Sequence, residues 1–450
     1  GGAGNGGADA GTAGIGGTAG ENTGLARPPG PPQGIPDANK TDGETRVFAV
    51  QAVDFGIRDP LNDKLYKDAI NAGKNIGFDF DGINTKDDKS ISCKGNSAIF
   101  SPAATLDGDD GRDNFIGRGI FTFLATLNND FDVEVKSDII SGSPTLAFEI
   151  LDIDQGPDDP YTPTNVYTIA KIYDSDKLVE APIENAPRRI IDIDSVDILD
   201  PAGNKVQVPL NPCNNVGEVP PDHKIVSKLH FPNAYIRNNV WVSGPFNPQE
   251  KQFNSSSEGI ILGNLRLESK ITALVITFEF TDDKLVKVKR GSYGALIANS
   301  DFKQALPKFL SQLCLPDEIL GNNLVTSIGE ASDSSTKDGF FDPKGDCDAL
   351  SIGFGFTMVP VAFDRSPKPQ ENIYVGKSKF INACTGAGGQ AGASGQAGGS
   401  GAGQAGAAGC GAAAGAAGQA GASGAGGAAG AAGAAGAAGV AGAAGAAGNQ

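Results

Sequence analysis

The sequence predicts an all-β fold, mainly antiparallel, built as a jelly-roll-like β-sandwich with a few short helices and flanked by glycine-triplet tails. Three observations lead there: many short runs of β-branched and aromatic residues, sparse helical periodicity, and glycine at every third place near both ends.

The strand runs come first. Arg46 to Val53 reads as a buried strand, followed by Leu146 to Ile153, Val166 to Tyr173, Ile190 to Asp194 and Tyr235 to Val242. Ile260 to Leu267, Ile271 to Phe280, Leu285 to Lys289 and Leu350 to Val361 complete the set, with Thr281 to Lys284 as a turn between two of them. Helical spacing is limited to two places. Leu61, Leu65, Ala69 and Ile70 form one amphipathic set; Phe302, Leu306, Phe309, Leu310 and Leu313 form another, with Ser300 or Asp301 as its cap and Pro307 inside. Many strands with few helices imply packed sheets.

Composition divides the 450 residues into a Gly-rich tail (1–26), a Pro-rich linker (27–40), a β-rich globular domain (41–384) and a Gly/Ala tail (385–450). In the last segment glycine recurs every third residue from Gly386 to Gly401, slips once, and recurs from Gly403 to Gly448 with one miss at Ala412. A strand has period two, and a helix is penalised by about 1 kcal/mol per glycine, whereas a threefold polyproline II-type helix puts every third residue on one edge. Collagen shares the period but relies on proline, and the last proline here is Pro369. The expected form is therefore a polyglycine II bundle, with a flexible Gly/Ala/Ser linker as the alternative. Its assembly edges are Gly11, Gly14, Gly17 and Gly20 at one end, and Gly430, Gly433, Gly436, Gly439, Gly442 and Gly445 at the other. The tails resemble the glycine-triplet segments of polyglycine II proteins such as some insect-like antifreeze proteins and phage fibre tips. Between tail and body, Arg27-Pro28-Pro29-Gly30-Pro31-Pro32 reads as an extended spacer that holds the tail away from the domain.

Formal net charge is −17, which argues against a nucleic-acid partner. The short basic run from Lys284 to Arg290 reads as a strand with one solvated face. The start at Gly1 and the single methionine, Met358, suggest a processed, exported chain. Cys93, Cys213, Cys314, Cys347, Cys384 and Cys410 are even in number and lack zinc-ligand spacing, so disulfides are expected. In a straight threefold helix Cys384 and Cys410 would stand about 80 Å apart. Either the chain reverses at the phase slip and these two pair, or Cys410 bonds elsewhere, including on another subunit. No apolar run reaches the length of a transmembrane helix.

Catalytic patterns are thin. His223 and His230 are the only histidines and neither stands in a nucleophile motif, while Gly401 to Gly406 matches a dinucleotide fingerprint without its preceding strand. No cofactor is expected; a calcium ion is the alternative, for which Asp79, Asp81, Asp107, Asp109 and Asp113 supply the densest oxygen ligands, while the simpler reading of these residues is a solvated acidic loop that is not an EF-hand. Asp152, Asp154, Asp158 and Asp159 form another acidic loop, and Asp192 and Asp194 read as the wet face of a strand. Trp241, Tyr235 and Tyr161 are candidate sugar-stacking rings, although core packing is the expected fate of Trp241.

Asn75 to Gly82, Gly111 to Asn114 and Cys347 to Phe356 together resemble a family of secreted, glycine-rich myxobacterial surface proteins and lipoproteins. That resemblance implies export and a disulfide-bearing core rather than a reaction. The expected function is thus an extracellular or cell-surface structural protein, not an enzyme, that polymerises with itself through its tails. A secreted carbohydrate- or surface-binding β-sandwich with a surface polysaccharide as partner is the alternative, and a hydrolase a more distant one.

Overall fold

The computed structural model describes residues 26–32, 43–59, 61–66, 71–80, 106–154, 156–171, 177–244, 259–263, 265–312, 332–334, 336–337, 340–341, 347–363 and 374–377. The ten assembly glycines of the tails, Asp81, Cys93, Cys314, Cys384 and Cys410 lie outside the described residues.

The chain is mostly β. Its strands are β1 (Glu44–Asp54), β2 (Thr145–Ile153), β3 (Thr164–Ala170), β4 (Arg188–Asp192), β5 (Val196–Leu199), β6 (Lys205–Val206), β7 (Val216–Glu218), β8 (Lys224–Ser227), β9 (Leu229–Phe231) and β10 (Tyr235–Arg237). After them come β11 (Val240–Val242), β12 (Ile260–Leu262), β13 (Leu265–Leu267), β14 (Ile271–Phe280), β15 (Val288–Ala298), β16 (Thr336–Lys337), β17 (Phe340–Phe341), β18 (Ala349–Pro360), β19 (Ala362–Phe363) and β20 (Tyr374–Gly376). Among the described residues the α-helices are α1 (Thr122–Leu127), α2 (Phe131–Ile140) and α3 (Asn299–Ser311).

Among the described residues, thirteen strands form one large sheet with the path β10-β11-β14-β15-β18-β1-β2-β3-β4-β20-β7, to which β9 adds on β3 and β19 on β4. It is antiparallel except where β4 meets β19 and β20. The sheet is rolled, as two contacts across it demonstrate. Phe148 of β2 and Phe278 of β14 stand four strands apart, about 19 Å in a flat sheet, yet their ring centroids are 5.8 Å apart. Trp241 of β11 and Thr164 of β3 stand six strands apart, about 29 Å if flat, yet the indole Nε1 donates to the threonine Oγ1 at 3.1 Å.

The segment before β3 completes the closure. Asp159 and Ile236 of β10 exchange backbone hydrogen bonds of 2.9 and 2.7 Å, and the Thr162 N–H donates to the Ala234 carbonyl at 2.8 Å. Aromatic rings fill the concave face. Trp241 stacks on Phe278 at 4.5 Å, and Phe148 lies parallel to Phe356 at 6.3 Å. Room for Phe356 comes from its cross-strand partner, Gly291, where a Cβ would fall 2.1 Å from the ring.

Several expectations are corrected. Tyr235 to Val242 is a hairpin rather than one strand, because Asn238 and Asn239 adopt φ of 51° and 63°, the left-handed pair of a tight turn. Ile260 to Leu267 is likewise a hairpin, turning at Gly263 with φ of 62°. The strand expected at Leu285 to Lys289 begins at Val288 and runs on to Ala298, Leu285 being in the turn with φ of 53°. Residues 61–66, expected to open a helix, form a turn. There Asp59 and Asn62 accept from the N–H groups of Leu61 and Lys64 at 2.9 and 3.0 Å, drawing the backbone out of the helical pattern. Helix α3 stands where expected, but it begins at Asn299 without a side-chain cap and carries Pro307 in its later half. Helix α2 lies outside the two helical sets read from the sequence, and its buried residues Phe131, Val135 and Ile139 follow the i, i+4, i+8 pattern.

The proline-rich segment also departs from expectation. Instead of standing off, it lies along the body: the Ala26 carbonyl accepts from the Asp79 N–H at 3.0 Å, the Tyr235 hydroxyl donates to the Pro29 carbonyl, and Arg237 donates to the Pro31 carbonyl at 3.3 Å. An extended proline-rich chain leaves its carbonyls unpaired, and these are the groups the body captures.

Trp241 links β11 to β3 across the rolled sheet, so Trp241→Ala is expected to cost about 3–5 kcal/mol. Urea unfolding followed by far-ultraviolet circular dichroism measures it; a loss below about 1 kcal/mol would refute the closure.

Candidate functional site: three segments on the convex face

Gly294 of β15 and Gly353 of β18 are cross-strand partners on the face opposite the aromatic interior. With no side chains there, the chain before β2 can lie directly on the sheet. A Cβ at Gly353 would fall 2.6 Å from the Cα of Gly77, and one at Gly294 would fall 2.5 Å from the Phe78 ring. Phe78 and Phe80 form a small apolar cluster here with Ala273, Val275 and Leu296.

Asn114 locks the arrangement. It is 2% exposed and immediately precedes Phe115, where a helical stretch begins that passes through a π-helix at Ile116–Phe121. Its Oδ1 accepts from the Gly353 N–H at 2.7 Å and the Gly117 N–H at 3.0 Å, and its Nδ2 donates to the Gly73 carbonyl at 3.3 Å. Gly117 leaves space for the carboxamide, since a Cβ there would fall 2.4 Å from Nδ2. Asp113 accepts from the Phe80 N–H at 2.7 Å, and the Ser351 Oγ accepts from the Phe115 N–H at 2.8 Å. Asp333 in turn accepts from both the N–H and the hydroxyl of Ser351. Each of these side chains is used to hold main chain. The three sequence segments around Phe78, Asp113 and Gly353 thus converge at one place. Nothing in the sequence pattern singles out Ser351 or Asp333 beforehand, because their contacts join elements remote in the chain.

The proposed calcium ligands divide. Asp79 is paired with Arg27 at 2.8 Å, and Asp109 with Lys74 at 3.6 Å. Asp107 and Asp113 are buried, as are Arg112 and Arg118 at 3% and 2% exposure. Burial pulls both guanidinium pKa values below their ordinary level; Asp107, Asp109 and Asp333 oppose this at Arg118, and Asp110, Asp109 and Asp79 at Arg112. Two arginines therefore supply positive charge where an ion was expected, and a cation would have to share the carboxylates with them. Among the described residues, no group of three or more His, Cys, Asp or Glu is placed to hold a metal.

The other candidates are placed as follows. Trp241 and Tyr235 are buried at 0% and 1% exposure, which removes both as sugar platforms; Tyr161 is half-buried. His223 pairs with Asp222 at 2.8 Å, and His230 with Asn165 across β3 and β9 at 2.9 Å. Asp192 is not on a wet face: it is 2% exposed and accepts from the Asp194 N–H at 3.1 Å, turning the chain out of β4, while Asp194 is exposed. Lys287, Lys289 and Arg290 are matched by Glu180 and Glu279. Neither Cys213 nor Cys347 is a free thiol. Compared with models of known families, with curated proteins and with solved structures, the chain matches none.

Asn114→Ala leaves two buried N–H groups and one carbonyl without this partner, at about 1–3 kcal/mol for each unsatisfied group. A loss of at least about 3 kcal/mol in chemical unfolding is expected, and a neutral result would contradict the locking role. Asp159 gives a pH-dependent counterpart. Burial raises its pKa to about 6, against the hydrogen bonds it accepts from the N–H groups of Asp154 and Tyr161. A carboxyl with a raised folded pKa favours the folded state below its unfolded value near 4 and loses that contribution as pH rises to about 6. Asp159→Asn should therefore gain stability relative to the native chain as pH rises from about 4 to about 6. Paired thermal melts across that range measure the difference, and a constant offset would contradict it.

Proposed function

We propose that this chain is an extracellular structural protein that assembles with itself into a filament, sheath or matrix through its glycine-triplet tails, displaying acidic β-rich bodies. The observation that carries this reading is the triplet period at both ends, from Gly11 to Gly20 and from Gly430 to Gly445. A chain with compatible tails at each end makes head-to-tail contacts, and these propagate into open polymers unless the geometry closes a ring. A jelly-roll division of the body, disulfides in its core and export are parts of the same proposal; the resemblance to secreted myxobacterial surface proteins supports the last two.

The described body is compatible with that role. Aromatic rings pack the middle of its concave face, and the three segments that stand out in the sequence hold backbone to backbone. Its positive side chains near β15 are matched by glutamates, which leaves the overall charge of −17 to keep bodies apart along a polymer.

Electron microscopy of the purified full chain tests the proposal: uniform fibres are expected. Replacing Gly430, Gly433 and Gly436 together with alanine puts side chains on the packing edge and should abolish fibres and tail protease resistance. Monodisperse monomers from the native chain, or unchanged assembly by the triple variant, would overturn it.

A further inference from the structure

The rolled sheet has an end that its aromatic rings do not fill. Phe148, Trp241 and Phe278 occupy the interior, but along the same face β2 and β3 continue to Leu146 and Thr168, a cross-strand pair beyond the rings. Here a cleft of about 430 Å³ opens. Its floor is apolar, made by Leu146, Val166 and Ile261, the last carried on the β12–β13 hairpin. Its rim is polar and comes from the turn after β4, from β5 and β6, from the link between β8 and β9 and from Arg266 of β13.

The rim mixes both signs and both hydrogen-bonding senses. Asp194 and Lys228 are exposed, and the Lys228 ammonium donates to the Asp194 carbonyl at 2.9 Å. Asp197 and Lys205 form an ion pair of 2.7 Å at one side, and Ser195 contributes a hydroxyl. Sites at the mouths of β-barrels commonly have this volume, an apolar floor and a few polar groups that orient the ligand.

We propose that this mouth binds a short neutral saccharide. Carboxylates accept and ammonium groups donate, and a sugar hydroxyl does both, so a polyol can satisfy an alternating rim that a purely apolar ligand would leave desolvated. An anionic ligand would meet Asp194 and Asp197, and a cationic one Lys205, Lys228 and Arg266, so the balanced rim suits a ligand without net charge. The C–H face of a pyranose matches the floor of Leu146, Val166 and Ile261. This site is independent of the tails and requires no assembly.

Isothermal titration of the full chain with maltotriose, cellotriose, xylotriose and chitotriose tests the site, each to about 10 mM, the range in which weak saccharide binding is measurable. At least one is expected to bind, and Asp194→Ala and Lys228→Ala, both at exposed positions, should each weaken it about tenfold without shifting the thermal midpoint. The proposal is overturned if none of the four binds, if both variants bind as the native chain does, or if trigalacturonate binds more tightly than every neutral trimer.

Discussion

The close approach of Gly77 to Gly353 is the constraint on which the outer half of the molecule depends. A sheet face normally presents side chains that hold other backbone away by several ångströms. Absence of side chains at Gly294 and Gly353 lets a loop lie flat, and the loop then has to satisfy its own polar backbone against the sheet. Asn114 meets that need with a single carboxamide that serves three main-chain groups on three stretches of chain. Arg112 and Arg118 follow as a further consequence. Bringing the acidic loops into contact with the sheet buries carboxylates, and the two guanidinium groups provide their counter-charge.

Glycine works in opposite ways on the two faces of the same strands. On the concave side Gly291 admits the ring of Phe356, so the core is dense. On the convex side Gly294 and Gly353 admit backbone. Alternation along β15 and β18 assigns each glycine to its face, and a slip of one residue would exchange the two roles. Register in this part of the sheet is thereby fixed by shape complementarity as well as by burial.

Long apolar runs were legible in the sequence because a buried strand needs little beyond hydrophobic and β-branched residues. Ile271 to Phe280 matches β14 residue for residue, and Arg46 to Val53 lies within β1. Boundaries set by φ were not legible: Asn238-Asn239 and Leu285 turn the chain inside or beside runs that read as continuous. The roll of the sheet was equally hidden, because it rests on pairs such as Trp241 with Thr164, which no local pattern connects. At the candidate site the residue types were visible but their use was not. Asp79 and Asp107 offer carboxylates in the sequence, but that Arg27 pairs with Asp79 and that Arg118 is buried within the field of Asp107 depends on how separate segments fold together.

The capture of Ala26 to Pro32 by the body carries a mechanical consequence. Tension on the amino-terminal tail would not reach the rolled sheet first. It would load the hydrogen bond between the Ala26 carbonyl and Asp79, together with the Arg27 ion pair, before the contacts at Pro29 and Pro31. These bonds act one after another, as in peeling, so each can yield singly at low force while the aromatic interior stays intact. Because Asp79 also sits in the loop over Gly294 and Gly353, the docked segment would serve as a compliant link between a pulled tail and a stiff body.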